Sequence, residues 1–122
     1  MNYRTAAKEI NMDCVFCKII DGSIPSKKVY EDDMMLAFYD IEPAAPVHVV
    51  MIPKAHIQSA DELNEENIAY VSHIFEKAGE IAKSVGLENG YRIVNNCGPD
   101  AGQTVFHIHF HLMGGKTLGK MA

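Results

Sequence analysis

The chain has 122 residues, 48% of them hydrophobic, and a formal net charge of -5. That length closes one hydrophobic core and hardly two. The acidic balance argues against a duplex-binding surface, whose affinity would come from clustered Lys and Arg, so the expected partners are small molecules or proteins, with no nucleic acid and no membrane.

Residues 1–12 carry Arg4, Lys8 and Glu9 and lack the roughly 7–15-residue apolar core of a secretory signal. They read as a loosely held N-terminal extension to one domain spanning residues 13–122. No run approaches the ~20 apolar residues that cross a bilayer, and the expectation is a soluble, cytoplasmic protein. Three cysteines, an odd number, fit a reducing compartment in which thiols stay free or bind metal.

Val29 to Glu31 and Met34 to Tyr39 flank Asp32-Asp33, which predicts a hairpin with a tight turn. Pro43 and Pro46 bracket a rigid connection. His48 to Ile52 is a short β-branched run ended by Pro53, the pattern of a central strand. From Glu65 to Val85, Ile68, Val71, Ile74, Phe75, Ala78, Ile81, Ala82 and Val85 recur at helical spacing, with Asn64 placed to cap the start and Gly86 to end it. Asn89-Gly90 turns the chain into a strand at Tyr91 to Asn95, and Phe106 to Met113 forms the last strand. Strands, then a helix, then strands indicate an α+β meander in which the helix covers one face of the sheet.

The last strand is the most informative. A period of two sends Phe106, Ile108, Phe110 and Leu112 to one face and His107, His109 and His111 to the other. Same-side residues lie roughly 6.6 Å apart and the outer pair about 13 Å, too far for all three imidazoles to meet one zinc at ~2.1 Å. At least one histidine is then free for chemistry. An imidazole with a reference pKa of about 6.5 is mostly neutral and nucleophilic at pH 7, which suits covalent attack on phosphorus if one tautomer is held. Just upstream, Asn95 to Thr104 is a loop rich in turn formers. Its Gly102, Gln103 and Thr104 offer backbone amides and a hydroxyl to phosphate oxygens. It lacks the Gly-Lys-Ser/Thr ending of a P-loop.

His107-Ile108-His109-Phe110-His111-Leu112 resembles the signature of the histidine-triad family. Phe16-Cys17-Lys18-Ile19-Ile20 with Ile24-Pro25, Ala37 to Ile41, Pro46-Val47-His48 and Ile52-Pro53-Lys54 look like its other blocks, in order, and Gly114-Gly115 with the tail through Gly119 is most similar to the nucleotide-binding (HINT) branch.

The resemblance implies a five-stranded antiparallel sheet with one main helix, paired into a homodimer. It implies hydrolysis of P–N bonds in adenosine 5′-phosphoramidate or aminoacyl- or lysyl-adenylate-type substrates. His109 matches the nucleophile, and His111 and His48 match residues that position it and relay protons, with His107 completing the triad. Asn96, Gly102, Gln103, Thr104 and Val105 match phosphate-side contacts, Asp40 the ribose ligand, and Val15, Phe16, Ile19, Phe38 and Ile41 the purine pocket. Thr104 and Tyr39 depart mildly from common family residues. No cofactor is required for catalysis.

Some relatives with a Cys-x-x-Cys bind structural zinc, and the matching set here is Cys14, Cys17, His56 and His107, a Cys₂His₂ composition. Reduced, metal-free thiols are the alternative. Cys97 and His73 read as structural or incidental. Two other functions are compatible with the same residues: hydrolysis of dinucleoside polyphosphates, and a nucleotide- or zinc-binding regulatory module with vestigial activity.

Overall fold

Alternation along the middle strands divides the molecule into two faces. The computed structural model of the protein describes residue 11 and residues 13–121, so the expected N-terminal extension lies, apart from Asn11, outside the described residues. Strands β1 (Lys28–Glu31), β2 (Met35–Tyr39), β3 (Val47–Pro53), β4 (Arg92–Val94) and β5 (Phe110–Gly114) form one antiparallel sheet in the order β1-β2-β3-β5-β4. Among the described residues two α-helices flank it, α1 (Val15–Ile20) and α2 (Ile68–Ser84). The five-stranded antiparallel sheet with one main helix is therefore as expected.

Met35 and Ala37 of β2, Val49 and Met51 of β3, and Phe110 and Leu112 of β5 enter the core beneath α2, joined by Tyr70, Ile74, Ala78 and Ile81 of that helix. The intervening residues Leu36, Phe38, Val50 and Ile52 pack on the opposite face, against Ile19 of α1. With neighbours on both edges and cover on both faces, β3 is buried from His48 to Pro53. Each of its large apolar side chains contributes roughly 1.5–3 kcal/mol through burial.

The sequence signals for α2 hold with two adjustments. Asn64 caps a turn that precedes the helix: its Oδ1 accepts from the amides of Glu66 at 2.8 Å and Asn67 at 3.2 Å, and the regular helix begins at Ile68. Gly86 ends it as expected, with φ at +83°, a conformation that glycine adopts without Cβ strain. Ile68 and Phe75, expected in the core, are 45% and 50% exposed. The sheet covers only the stripe through Tyr70, Ile74, Ala78 and Ile81, and Phe75 sits on its flank with its ring edge on Phe110 at 5.5 Å. Among the described residues no helix is long and apolar enough to cross a membrane.

Two elements differ from expectation. Helix α1 was not predicted: it is only 6 residues long, too short for a helical period to stand out. The last strand begins at Phe110, not Phe106. The amide of Ile108 donates to Ile57 O at 2.6 Å instead of entering the ladder, and Phe106 is 50% exposed and seals no core. His107 and His109 therefore lie on the irregular approach to β5, and only His111 is on the strand itself.

The hairpin is tied to α2 by Asp32. Its Oδ1 accepts from the amides of Met34 and Met35 at 2.8 and 3.0 Å, which closes the turn, and its Oδ2 accepts from the Tyr30 hydroxyl at 2.7 Å and His73 Nε2 at 2.6 Å. His73 is thus a structural tether. Burial pushes the Asp32 carboxyl up, but the hydrogen bonds from His73, Tyr30 and the two amides outweigh it and bring the carboxyl from 3.8 to about 2. The folded state favours the charged form, so this contribution is present above the ordinary carboxylate range and is lost as pH falls through about 2. Asp32→Asn is expected to lower the unfolding free energy by about 2 kcal/mol at pH 7 and by little near pH 2. Urea denaturation at the two pH values reads this difference, and equal losses would overturn it.

Candidate active site

Three backbone groups decide how the histidines can act. His109 Nδ1–H donates to the carbonyl of His107 at 2.8 Å, which leaves Nε2 with its lone pair. The amide of Ala44 donates to His48 Nδ1 at 3.0 Å, so the neutral ring carries its proton on Nε2. That Nε2–H donates to His111 Nδ1 at 2.8 Å, which places the His111 proton on its own Nε2. The rings of His109 and His111 meet edge to face at 5.0 Å, as do those of His48 and His111. Asp40 Oδ2 stands 3.5 Å from His48 Nε2.

Burial pushes all three imidazoles down. For His111, burial followed by repulsion from His109 and His48 brings it to about 4. For His109, burial outweighs the raising effects of the His107 carbonyl and Asp40, and for His48 it outweighs Asp40. The site therefore holds one ring nitrogen with an uncommitted lone pair, His109 Nε2, beside one outward N–H, on His111, and burial disfavours the imidazolium form of all three rings. That pairing of nucleophile and donor suits attack at an electrophile bearing a poor leaving group.

Among the described residues, two groups of side chains bring possible ligand atoms within 4.8 Å of one another: Cys14, Cys17, His56 and His107, and Asp40, His48 and His111. Tautomers separate them. His107 Nε2–H donates to Pro53 O at 2.9 Å, so its Nδ1 lone pair faces the thiols, 3.4 Å from Cys14 Sγ and 3.6 Å from Cys17 Sγ, while His56 Nδ1 is 3.4 Å from Cys17 Sγ. A tetrahedral zinc with ordinary Zn–S and Zn–N bonds sets its sulfur and nitrogen ligands about 3.6 Å apart. The four residues fit such an ion with little adjustment. The second group does not: with the Ala44 amide on Nδ1, His48 cannot present a lone pair at Nε2 without giving up that bond.

The phosphate-side loop is more self-contained than expected. A 3-10 turn at Pro99–Ala101 lies inside it. The amides of Gly102 and Gln103 donate to Pro99 O at 3.0 Å and Gly98 O at 3.1 Å. They close the loop instead of standing open for an anion. The Gln103 side chain is spent likewise on the Gly98 amide and the carbonyls of Gln58 and Val105, and Asn96 Nδ2 donates to Ala101 O at 2.8 Å. Gly102 takes φ of +87°, a left-handed turn residue. Thr104 and Val105 instead line an open cavity of about 310 Å³ together with Val15, Cys14 and His56.

The apolar residues assigned to a base pocket are mostly brought together. Phe16 packs edge to face on Phe38 at 5.7 Å and on His109 at 5.1 Å, and Ile19 joins the same cluster. Ile41 does not join it: it is 95% exposed on the turn in which Asp40 Oδ1 accepts from the amide of Glu42 at 2.8 Å. Asn95 was missed. Its Nδ2 donates to the carbonyl of His109 at 2.9 Å, pinning the backbone of that histidine from the end of β4. No pattern in the sequence marks it, because its partner is a carbonyl common to every residue.

Residues 13–121 match the family model described as scavenger mRNA decapping enzyme C-term binding. An uncharacterised HIT-like protein of Rickettsia prowazekii is 46% identical over 110 residues, covering 88% of this chain and 92% of that protein. The chain belongs to the HIT-like family. Among solved structures, a HIT family hydrolase from Clostridium thermocellum has 49% identity and a TM-score of 0.88, with 91% of this chain and 97% of that one covered. A histidine triad nucleotide-binding protein from Candida albicans has 33% identity and a TM-score of 0.74, with 89% and 85% covered. The protein is accordingly similar to HIT family hydrolases.

The proton positions are directly measurable. Long-range ¹⁵N–¹H correlation spectra at pH 7 are expected to show His109 in its Nδ1–H form and His48 and His111 in their Nε2–H forms. An Nε2–H form of His109 would remove it as the nucleophile.

Proposed function

We propose that this HIT-like protein is a purine-nucleotide phosphoramidase that cleaves the P–N bond of adenosine 5′-phosphoramidate or aminoacyl- or lysyl-adenylate-type substrates through a nucleotidyl-histidine intermediate. The observation that carries the reading is the free Nε2 lone pair of His109, fixed by the His107 carbonyl and set against the His111 donor. The nucleotide-binding relative from Candida albicans supports the choice of ligand.

In the first step the Nε2 lone pair of His109 forms a bond to phosphorus while the bond from phosphorus to the leaving nitrogen breaks. The Nε2–H of His111 donates a hydrogen bond to that nitrogen, and the proton the amine needs comes from solvent. Because His48 spends its only ring proton on His111 Nδ1, this pair orients the donor and is not itself a source of acid. Water then attacks phosphorus, the bond to His109 breaks, a proton returns to solvent and AMP leaves. Thr104 and Val105 serve the phosphate, Phe16, Ile19 and Phe38 the base, and Asp40 the ribose, whose vicinal diol suits two hydrogen bonds to one carboxylate.

Incubation with adenosine 5′-phosphoramidate is expected to release AMP, and His109→Ala to reduce the rate by at least about a thousandfold. Equal turnover by the two proteins would sink the assignment. Faster hydrolysis of a diadenosine polyphosphate than of the phosphoramidate would favour dinucleotide chemistry instead.

The same reading includes a structural zinc held by Cys14, Cys17, His56 and His107, and a homodimer. Bound there, zinc supplies a cross-link between α1, the segment after β3 and the approach to β5. A partner subunit is supported by β4, which ends the sheet as an edge strand, and by the half-exposed Phe75. Native mass spectrometry after zinc-replete expression is expected to give the mass of two chains with two zinc ions. A metal-free mass would exclude the ion, and a monomer the pairing.

A further inference from the structure

We infer that Cys14 and Cys17 form a peroxide-reactive dithiol whose oxidation to a disulfide disables the neighbouring nucleophile. The inference rests on the reading of His109 as nucleophile, and it assigns to the cysteines a modification site additional to metal binding.

The two residues occupy the N-cap and third position of α1, where the Cys17 amide donates to Cys14 Sγ at 3.3 Å. Their sulfurs lie within 4.8 Å of each other. A three-residue spacing at a helix start is compatible with a disulfide, which needs the sulfurs at about 2.05 Å. Access is one-sided and narrow: Cys17 is fully enclosed, whereas Cys14, buried with 7% of its surface exposed, reaches the open cavity shared with Val15, His56 and Thr104.

The chemistry balances with a hydroperoxide as oxidant. Cys14 Sγ attacks the peroxide oxygen, the O–O bond breaks, and a sulfenic acid and an alcohol (water, for hydrogen peroxide) result. Cys17 Sγ attacks Cys14 Sγ, the S–O bond breaks, water leaves, and the two thiols have together lost two electrons and two protons. If zinc is bound, the same two electrons leave the thiolates, solvent supplies the protons and the ion is released.

Coupling to the nucleophile follows from what the sulfurs touch. In the metal-free protein the reduced thiols offer S–H donors to His107 Nδ1, a ring nitrogen inside a fully buried side chain, and with zinc bound that nitrogen would hold the ion instead. A disulfide has no S–H, and closing it draws at least one sulfur off that nitrogen, so the buried acceptor is left without a partner, which is unfavourable. The His107 carbonyl holds His109 Nδ1–H, so any adjustment of His107 reaches the reactive ring. Phe16, between the two cysteines, carries the same displacement to His109 and to Phe38 in the apolar wall. Whether that partner is an S–H donor or the ion, its loss from His107 Nδ1 suffices for the coupling.

The test uses the full-length protein carrying Cys97→Ser, which removes the third thiol. Treatment with hydrogen peroxide is expected to lower the intact mass by about 2 Da, to shift the His109 ring ¹⁵N resonances, and to weaken AMP binding about tenfold. Dithiothreitol is expected to restore all three. Peroxide-resistant thiols, or oxygen addition of about 32 Da at Cys14 without a disulfide, would overturn the inference. So would a 2 Da loss that leaves the His109 resonances unchanged. If the reduced protein binds no AMP, the proposed function fails separately, and the resonance shift still decides the coupling.

Discussion

The whole site hangs on one residue that is used twice. The ring of His107 is fixed at one end by the Pro53 carbonyl and faces the Cys14 and Cys17 sulfurs at the other, and its backbone carbonyl orients His109. Anchoring a ring and a carbonyl in one residue joins β3, α1 and the approach to β5 within a few ångströms. This is a strained economy only in sequence terms: energetically, each contact is an ordinary hydrogen bond of roughly 0.5–1.5 kcal/mol. Its value lies in direction, because a hydrogen bond to one ring nitrogen determines which lone pair the other presents.

That arrangement also explains why the strand of histidines is not a regular strand. Had His107 and His109 continued the β5 ladder, their carbonyls and amides would have been committed to neighbouring strands. Instead Ile108 bonds to Ile57 and the chain twists just before Phe110, freeing the His107 carbonyl to serve a side chain. Asn95 then restrains the carbonyl of His109 from β4. The regular part of the sheet begins one residue after His109, the proposed nucleophile, so its ring is positioned by backbone that the sheet itself holds.

Legibility in the sequence followed the range of each interaction. The hairpin at Asp32-Asp33, the buried β3 and the stop of α2 at Gly86 are written in local residue types, and they are found where those types place them. The histidine cluster was visible because a period of two needs only five residues. Helix α1 was not, since one and a half turns leave no period to read. The tautomers were beyond reach for a different reason: they depend on the carbonyls of Pro53 and His107 and the amide of Ala44, groups that every residue of their kind carries. Gly102 and Gln103 show the converse error. Their types suggested amides open to phosphate, whereas the loop folds back and consumes those amides itself.

Under the proposed function, the downward push on His48, His109 and His111 has a further consequence for how a nucleotide would be captured. A reaction centre in which burial disfavours the imidazolium, in a chain that is acidic overall, exerts little long-range pull on a phosphate. On the proposed reading, encounter would be left to diffusion and to the fit of a flat base against Phe16 and Phe38. Selectivity of this kind would belong to the nucleoside end of the proposed ligand, which would leave the chemistry at phosphorus tolerant of many leaving groups.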